Sequence, residues 1–175
     1  MDEAGARGPV PFYEADPRAL LPIERFRVPR SVARAARRRD YAVRVDGDFA
    51  GVVARCAERE EGTWLTPRLA RSYVALHERG GAHSVECWDG DRLVGGLFGV
   101  ALGGLFTSES MFHRAPDAGS LALVATAARL RERGYLLWDI QMRSEHTARF
   151  GARLVRAERY RELLAAALAV RRAFA

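Results

Sequence analysis

The stretch Gly95-Gly96-Leu97-Phe98-Gly99-Val100-Ala101-Leu102-Gly103-Gly104-Leu105-Phe106-Thr107-Ser108-Glu109-Ser110-Met111-Phe112 decides how this chain is read. It holds two apolar runs separated by Gly103-Gly104, a pair suited to a tight turn between antiparallel strands. The second run closes on Glu109, with Thr107, Ser108 and Ser110 beside it among Phe106, Met111 and Phe112. A carboxylate at an apolar strand end must be hydrated, paired or used, because burying it alone is costly. Glu109 is therefore the first candidate site residue.

Working outward, residues 83–88 read as a preceding strand, turned into 92–101 at Asp89-Gly90-Asp91. Residues 105–109 continue this meander. Downstream, an apolar-striped helix is expected over 121–133, closed by Gly134, then a buried strand over 135–141. A short helix from Ser144, a strand over 153–155 and a helix over 159–174 complete the chain. Upstream, a helix runs from Pro67 to Gly80-Gly81, and Asp48 caps another reaching Arg59. A strand over 41–45 and a basic helix over 31–39 precede them. Pro9, Pro11, Pro17 and Pro22 make 1–22 an irregular lead-in, leaving 23–175 as a single domain. The order β-β-β-α-β-α-β-α resembles the acyl-CoA N-acetyltransferase (GNAT) fold, an α+β mixed sheet flanked by helices. The pyrophosphate signature Gln/Arg-x-x-Gly-x-Gly/Ala is not found in the loop 114–120, which argues against coenzyme A as donor.

Composition bounds the function. The 175 residues suit one core, and 49 % apolar with 29 % charged residues is ordinary for a globular domain. No apolar run approaches ~18 residues, and the N-terminus lacks the apolar segment of a signal peptide. Two cysteines, Cys56 and Cys87, fit a reducing, cytoplasmic setting and read as small buried hydrophobes. Net charge is +6, with all 28 basic residues arginine. Arg25, Arg27, Arg30, Arg34, Arg37, Arg38, Arg39 and Arg44 crowd one region. Such a cluster attracts phosphates, or is simply a solvated helix face.

Asp139 and Gln141 lie two apart on the 135–141 strand, so their side chains share a face. A carboxylate and an amide emerging together suit the orientation or deprotonation of an amine, or else a hydrogen-bonded strand end. If that strand joins the sheet of the meander, Glu109, Asp139 and Gln141 ring one pocket. Trp64, beside Glu60-Glu61, stacks on a base or plugs the core. His77, His83, His113 and His146 show no metal-ligand spacing, which argues against zinc. Ser108 and Ser110 sit in no nucleophile elbow.

Taken together, 57–65 (Ala-Glu-Arg-Glu-Glu-Gly-Thr-Trp-Leu), 73–80, 82–88, 93–111, Asp139-Ile140-Gln141 and His146 with Phe150-Gly151-Ala152 resemble the leucyl/phenylalanyl-tRNA–protein transferases. With Asp16-Pro17-Arg18-Ala19 these segments span about 16–155 in order. The resemblance implies a GNAT-like body that takes leucine or phenylalanine from charged tRNA. It joins the amino acid to the N-terminal Arg or Lys of an acceptor protein, marking that protein for degradation. Aminoacyl-tRNA stands in place of acetyl-CoA, with no cofactor, metal or membrane involved. By the same resemblance Asp139 and Gln141 hold the acceptor amine, Asp139 removing its proton or pairing with the acceptor's basic side chain. Glu109 lies beside the aminoacyl-adenosine, with Ser110 among the substrate-binding residues. Leu97, Phe106, Met111 and Leu123 line the pocket for the leucyl or phenylalanyl side chain, and Trp64 is a wall or stacking partner. Arg30, Arg34, Arg37 and Arg38 bind tRNA. The family's Asn-Gly-Leu-Leu-Ala, Gly-Gly-Asp-Leu and Phe-Pro-Trp motifs do not occur here, which implies a short form without the usual N-terminal domain. The alternatives are a GNAT-like acyltransferase with another donor, or a non-catalytic module binding tRNA or N-terminal basic residues.

Overall fold

The computed structural model describes residues 15–59 and 62–175. The elements are β1 (Arg18–Leu20), α1 (Arg30–Arg38), β2 (Ala42–Val45), α2 (Phe49–Ala57), α3 (Pro67–Glu78), β3 (Ala82–Asp89), β4 (Arg92–Leu102) and β5 (Leu105–His113). They continue as α4 (Ala118–Glu132), β6 (Leu137–Gln141), α5 (Glu145–Ala148), β7 (Arg153–Val155) and α6 (Ala157–Leu168). These strands form one sheet in the order β2-β3-β4-β5-β6-β1-β7. β5 and β6 pair in parallel, joined by the crossover helix α4, and the other neighbours are antiparallel. This is the expected GNAT-like α+β sheet.

Local chemistry sets the boundaries. Asp48 accepts from the Gly51 amide at 2.8 Å to start α2, and Thr66 accepts from Leu69 ahead of Pro67 to start α3. Glu86 on β3, fully buried, accepts from the Asp48 amide, Ser84 Oγ and Trp88 Nε1, each at 2.8 Å. Those bonds tie the start of α2 to the sheet and meet the needs of a buried carboxylate without a cation. One sheet face packs Leu97, Phe106 and Trp138 against Leu123, Ala127 and Leu130 of α4. The other packs Phe98 and Phe112 against Phe49, Val52 and Val53 of α2.

A β-bulge positions the candidate carboxylate. Gly99 pairs with Ser108 and Phe98 with Ser110, which leaves Glu109 as an extra residue on β5. Glu109 and Ser110 consequently both turn toward the α2–α3 side, where Tyr73 and Arg59 meet them. Gly99 faces this step at close quarters: a Cβ there would lie 2.3 Å from the Thr107 carbonyl oxygen and 2.6 Å from Phe106 Cζ. Gly99→Ala is expected to destabilise the protein by about 1–3 kcal/mol through overpacking. A lowered urea midpoint at unchanged slope is the readout.

Three expectations are corrected. Within the lead-in expected to be irregular through residue 22, Arg18–Leu20 form a strand between β6 and β7. Ala19 and Leu20 pair with both neighbours and Arg18 with β7, so a three-residue run suffices; residues 1–14 lie outside the described ones. β5 continues to His113 because the bulge, not a strand end, breaks the alternation at Glu109. α6 ends at Leu168, and the tail returns Phe174 to the core, stacked on Phe106 at 4.8 Å and on His83 at 4.7 Å.

Candidate active site

β5 and β6 share a ladder only at Leu105–Leu137, Phe106–Trp138 and Thr107–Asp139. Past Thr107 and Asp139 the two strands run on without pairing, and side chains bridge them instead. Trp138 Nε1 donates to Ser108 Oγ at 2.9 Å, and Gln141 Nε2 donates to Glu109 Oε2 at 3.1 Å. Tyr73 of α3 donates its hydroxyl to the same Glu109 oxygen at 3.1 Å. Among the described residues no protein group donates to Glu109 Oε1. Burial pushes the Glu109 carboxyl above its ordinary range, reinforced by the Asp139 charge and opposed by the Tyr73 and Gln141 hydrogen bonds. Burial likewise raises the Tyr73 hydroxyl, so Tyr73 remains a donor.

Asp139 is brought close but is enclosed, at 0 % exposure. Its Oδ2 accepts from Arg18 Nε and from Tyr160 Oη, each at 2.7 Å. Its Oδ1 accepts from the Gln141 amide at 2.7 Å. Gln141 carries a positive φ of 61°, a conformation that costs a non-glycine residue about 1–3 kcal/mol. The Asp139 bond holds it there and aims the Gln141 side chain back across the opening. Arg18 and Tyr160 come from β1 and α6, far from Asp139 in sequence, and neither was a candidate. A basic residue in a proline-rich segment and a tyrosine on an amphipathic helix carry no sequence signal for such a role.

The remaining candidates divide by sheet face. Leu97, Phe106 and Leu123 belong to the buried α4-side cluster, packed in the interior rather than on an open wall, and half-buried Met111 packs on that cluster. Ser110 accepts from Arg59 Nη2 at 3.1 Å on the opposite face. Trp64 does not plug the core: it is 47 % exposed and meets Tyr73 edge-on, ring centres 6.2 Å apart. Trp64, Tyr73, Glu109 and Gln141 thus form one chain of contacts along the opening. Arg30, Arg34, Arg37 and Arg38 are exposed on α1, whose Val32 and Ala35 are buried.

Cys56 and Cys87 are free and buried, and burial pushes both thiols up to about 12, so neither serves as a nucleophile at neutral pH. The fold brings Asp46, His77 and His83 together with ligand-type atoms within 4.8 Å, which spacing along the chain did not show. Their atoms already serve one another and the backbone: His83 Nδ1 to Asp46 at 2.7 Å, His83 Nε2 to Gly80 O at 3.2 Å, His77 Nδ1 to Ala82 O at 2.8 Å. No helix among the described residues is long and apolar enough to cross a membrane.

A parallel strand pair that parts midway, joined by a crossover helix and bridged by a carboxylate and an amide, gives this chain an acetyltransferase-like fold. A functionally unknown conserved protein from Staphylococcus epidermidis shares the fold, with a TM-score of 0.51 at 9 % identity, over 79 % of this chain and 56 % of that one. The chain belongs to the leucyl/phenylalanyl-tRNA–protein transferase family, whose description, Leucyl/phenylalanyl-tRNA protein transferase, matches residues 20–165. A relative of that name from Rubrobacter xylanophilus is 49 % identical over 173 residues, 98 % of this chain and 90 % of that protein. Others of that name from Salinibacter ruber and Anaeromyxobacter dehalogenans are 46 % and 47 % identical, each over 93 % of this chain and 72 % of theirs.

Proposed function

We propose that this enzyme transfers leucine or phenylalanine from charged tRNA to the N-terminal Arg or Lys of an acceptor protein. The observation that carries the reading is the Glu109–Gln141 bridge across the parted strands, in a chain whose family is named for this transfer. The reaction asks little covalent chemistry of the protein. The donor ester is already activated, and an acceptor α-amine titrates near ~8. The amine nitrogen bonds to the ester carbonyl carbon, the bond to the ribose oxygen breaks, and one proton passes from nitrogen to that oxygen. Holding the reactants in line supplies much of the rate.

Gln141 presents its amide to the acceptor amine, and Glu109 Oε1 takes up the proton. Asp139, sealed by Arg18, Tyr160 and the Gln141 amide, is a positioning residue: it sets the Gln141 backbone and does not meet the substrate. The leucyl or benzyl side chain of the donor lies against half-buried Met111, while Leu97, Phe106 and Leu123 behind it stay packed in the α4-side cluster; burying such a group is worth about 2 kcal/mol. Trp64, edge-on to Tyr73, offers its exposed face to the terminal base.

The direct test incubates the purified chain with labelled leucyl- or phenylalanyl-tRNA and a substrate beginning with Arg. Label moves to the substrate; with an active control transferase beside it, an inert protein rejects the reading. A second expectation concerns α1. Neutralising Arg34, Arg37 and Arg38 together weakens tRNA binding and flattens its salt dependence by about 0.9 in log–log slope per lost duplex phosphate contact. Titrations at several salt concentrations check this, and unchanged slopes reduce α1 to a solvated face.

A further inference from the structure

The end of α2 and the end of β5 enclose a cleft of about 640 Å³ lined by Arg55, Glu58, Arg59, Phe112, His113 and Arg114. Its volume falls among those of ligand sites, about 300–1,000 Å³. The cleft starts next to the candidate active site, because Arg59 reaches from it to Ser110, the residue after Glu109. Among the described residues three arginines line the cleft against one carboxylate, Glu58, and Glu58 is taken by Arg114. Arg59 is held by Ser110 and by the Cys56 carbonyl oxygen at 3.4 Å. Arg55 is the exception: its Nε is buried and has no hydrogen-bond partner among the described residues. The partly exposed remainder of the Arg55 side chain borders the cleft, and an anion there meets its uncompensated charge.

The chemistry called for is a multiply accepting anion with an attached body, since planar guanidinium forks match phosphate oxygens and Phe112 adds an apolar wall. We propose that this cleft seats a phosphodiester of the donor's single-stranded 3′ end, held by Arg55 and Arg59, with Arg114 turning from Glu58 to the ligand. The proposal rests on the tRNA-donor reading. A phosphate anchored beside Ser110 fixes the terminal nucleotide within one residue of Glu109, and so places the ester at the opening between β5 and β6. The cleft is separate from the exposed arginines of α1, which face a longer stretch of nucleic acid.

The test compares two donors with the full chain: an aminoacylated trinucleotide CCA, which carries phosphodiesters, and an aminoacyl-adenosine, which carries none. Wild-type protein uses the trinucleotide with the higher kcat/KM. In Arg55→Gln, and separately in Arg114→Gln, that advantage shrinks about tenfold, the loss of one charge-assisted hydrogen bond. The salt dependence of trinucleotide binding loses about 0.7 in slope. Far-UV circular dichroism and thermal melting confirm that each variant is folded. A folded Arg55→Gln protein that keeps the wild-type ratio overturns the proposal, as does an equal loss with both donors, which assigns Arg55 to the structure alone. A wild-type protein that transfers from neither donor overturns the donor reading and this site with it.

Discussion

Asp139→Ala is expected to cost the fold about 3–5 kcal/mol and to reduce transfer by about 10²-fold or more in whatever protein remains folded. The stability loss follows from what Asp139 leaves behind. Arg18, 19 % exposed at its side chain, loses its ion-pair partner, and Tyr160 loses the acceptor of its hydroxyl. Removing one member of a buried pair costs more than the pair is worth, because the desolvated partner remains. The activity loss follows from Gln141, whose positive φ is pinned by the Asp139 Oδ1 bond. Released, Gln141 relaxes toward ordinary backbone and its side chain leaves Glu109. Asp139→Asn separates the two effects: an asparagine keeps the oxygen that receives the Gln141 amide but loses the charge facing Arg18. It should therefore melt well below wild type yet retain more transfer than Asp139→Ala. Tyr160→Phe removes only one neutral donor and is expected to cost about 1 kcal/mol. Urea unfolding with single-turnover transfer reads all three. Equal transfer by the Asn and Ala variants would dismiss the positioning role.

The contrast between Asp139 and Glu109 shows what was legible before the fold was known. The Gly103-Gly104 hairpin, the apolar run of β4 and the caps of α2 and α3 are local patterns, and the structure places them within a few residues of expectation. The shared face of Asp139 and Gln141 also followed from strand periodicity. Which of the two is exposed did not, because Arg18 and Tyr160 close over Asp139 from 121 and 21 residues away. Nor did the aim of Glu109: a bulge arises from the pairing of two strands, and a period of two cannot register the extra residue. The same limit hid β1, whose three residues are a strand only because β6 and β7 hold both edges. Trp64 stays half exposed because Tyr73 already occupies the ground between it and the core, packing on Phe98.

Glu109→Gln is expected to lower transfer by about 10²–10⁴-fold, the usual worth of a positioned proton acceptor, while leaving the protein as stable or more stable at neutral pH. The sign of the stability effect comes from linkage. The folded Glu109 carboxyl sits above its ordinary value of 4.5, so the native state binds that proton more tightly than the unfolded chain. Its contribution is complete below the unfolded value and is lost as pH rises through the raised one. Glutamine carries no charge to desolvate and still accepts from Tyr73 and Gln141. The melting temperature of the variant relative to wild type should thus be level in acid and climb toward neutrality. The kinetic profile gives an independent reading. Below about 8, kcat/KM falls tenfold per pH unit as the acceptor amine protonates. Below the raised Glu109 value the carboxylate takes up a proton of its own and can no longer accept the amine's, so the slope steepens from one to two. In Glu109→Gln the slope stays at one throughout. A variant that keeps the second break places the proton acceptor elsewhere, and Glu109 then serves only to hold Gln141 and the donor in place.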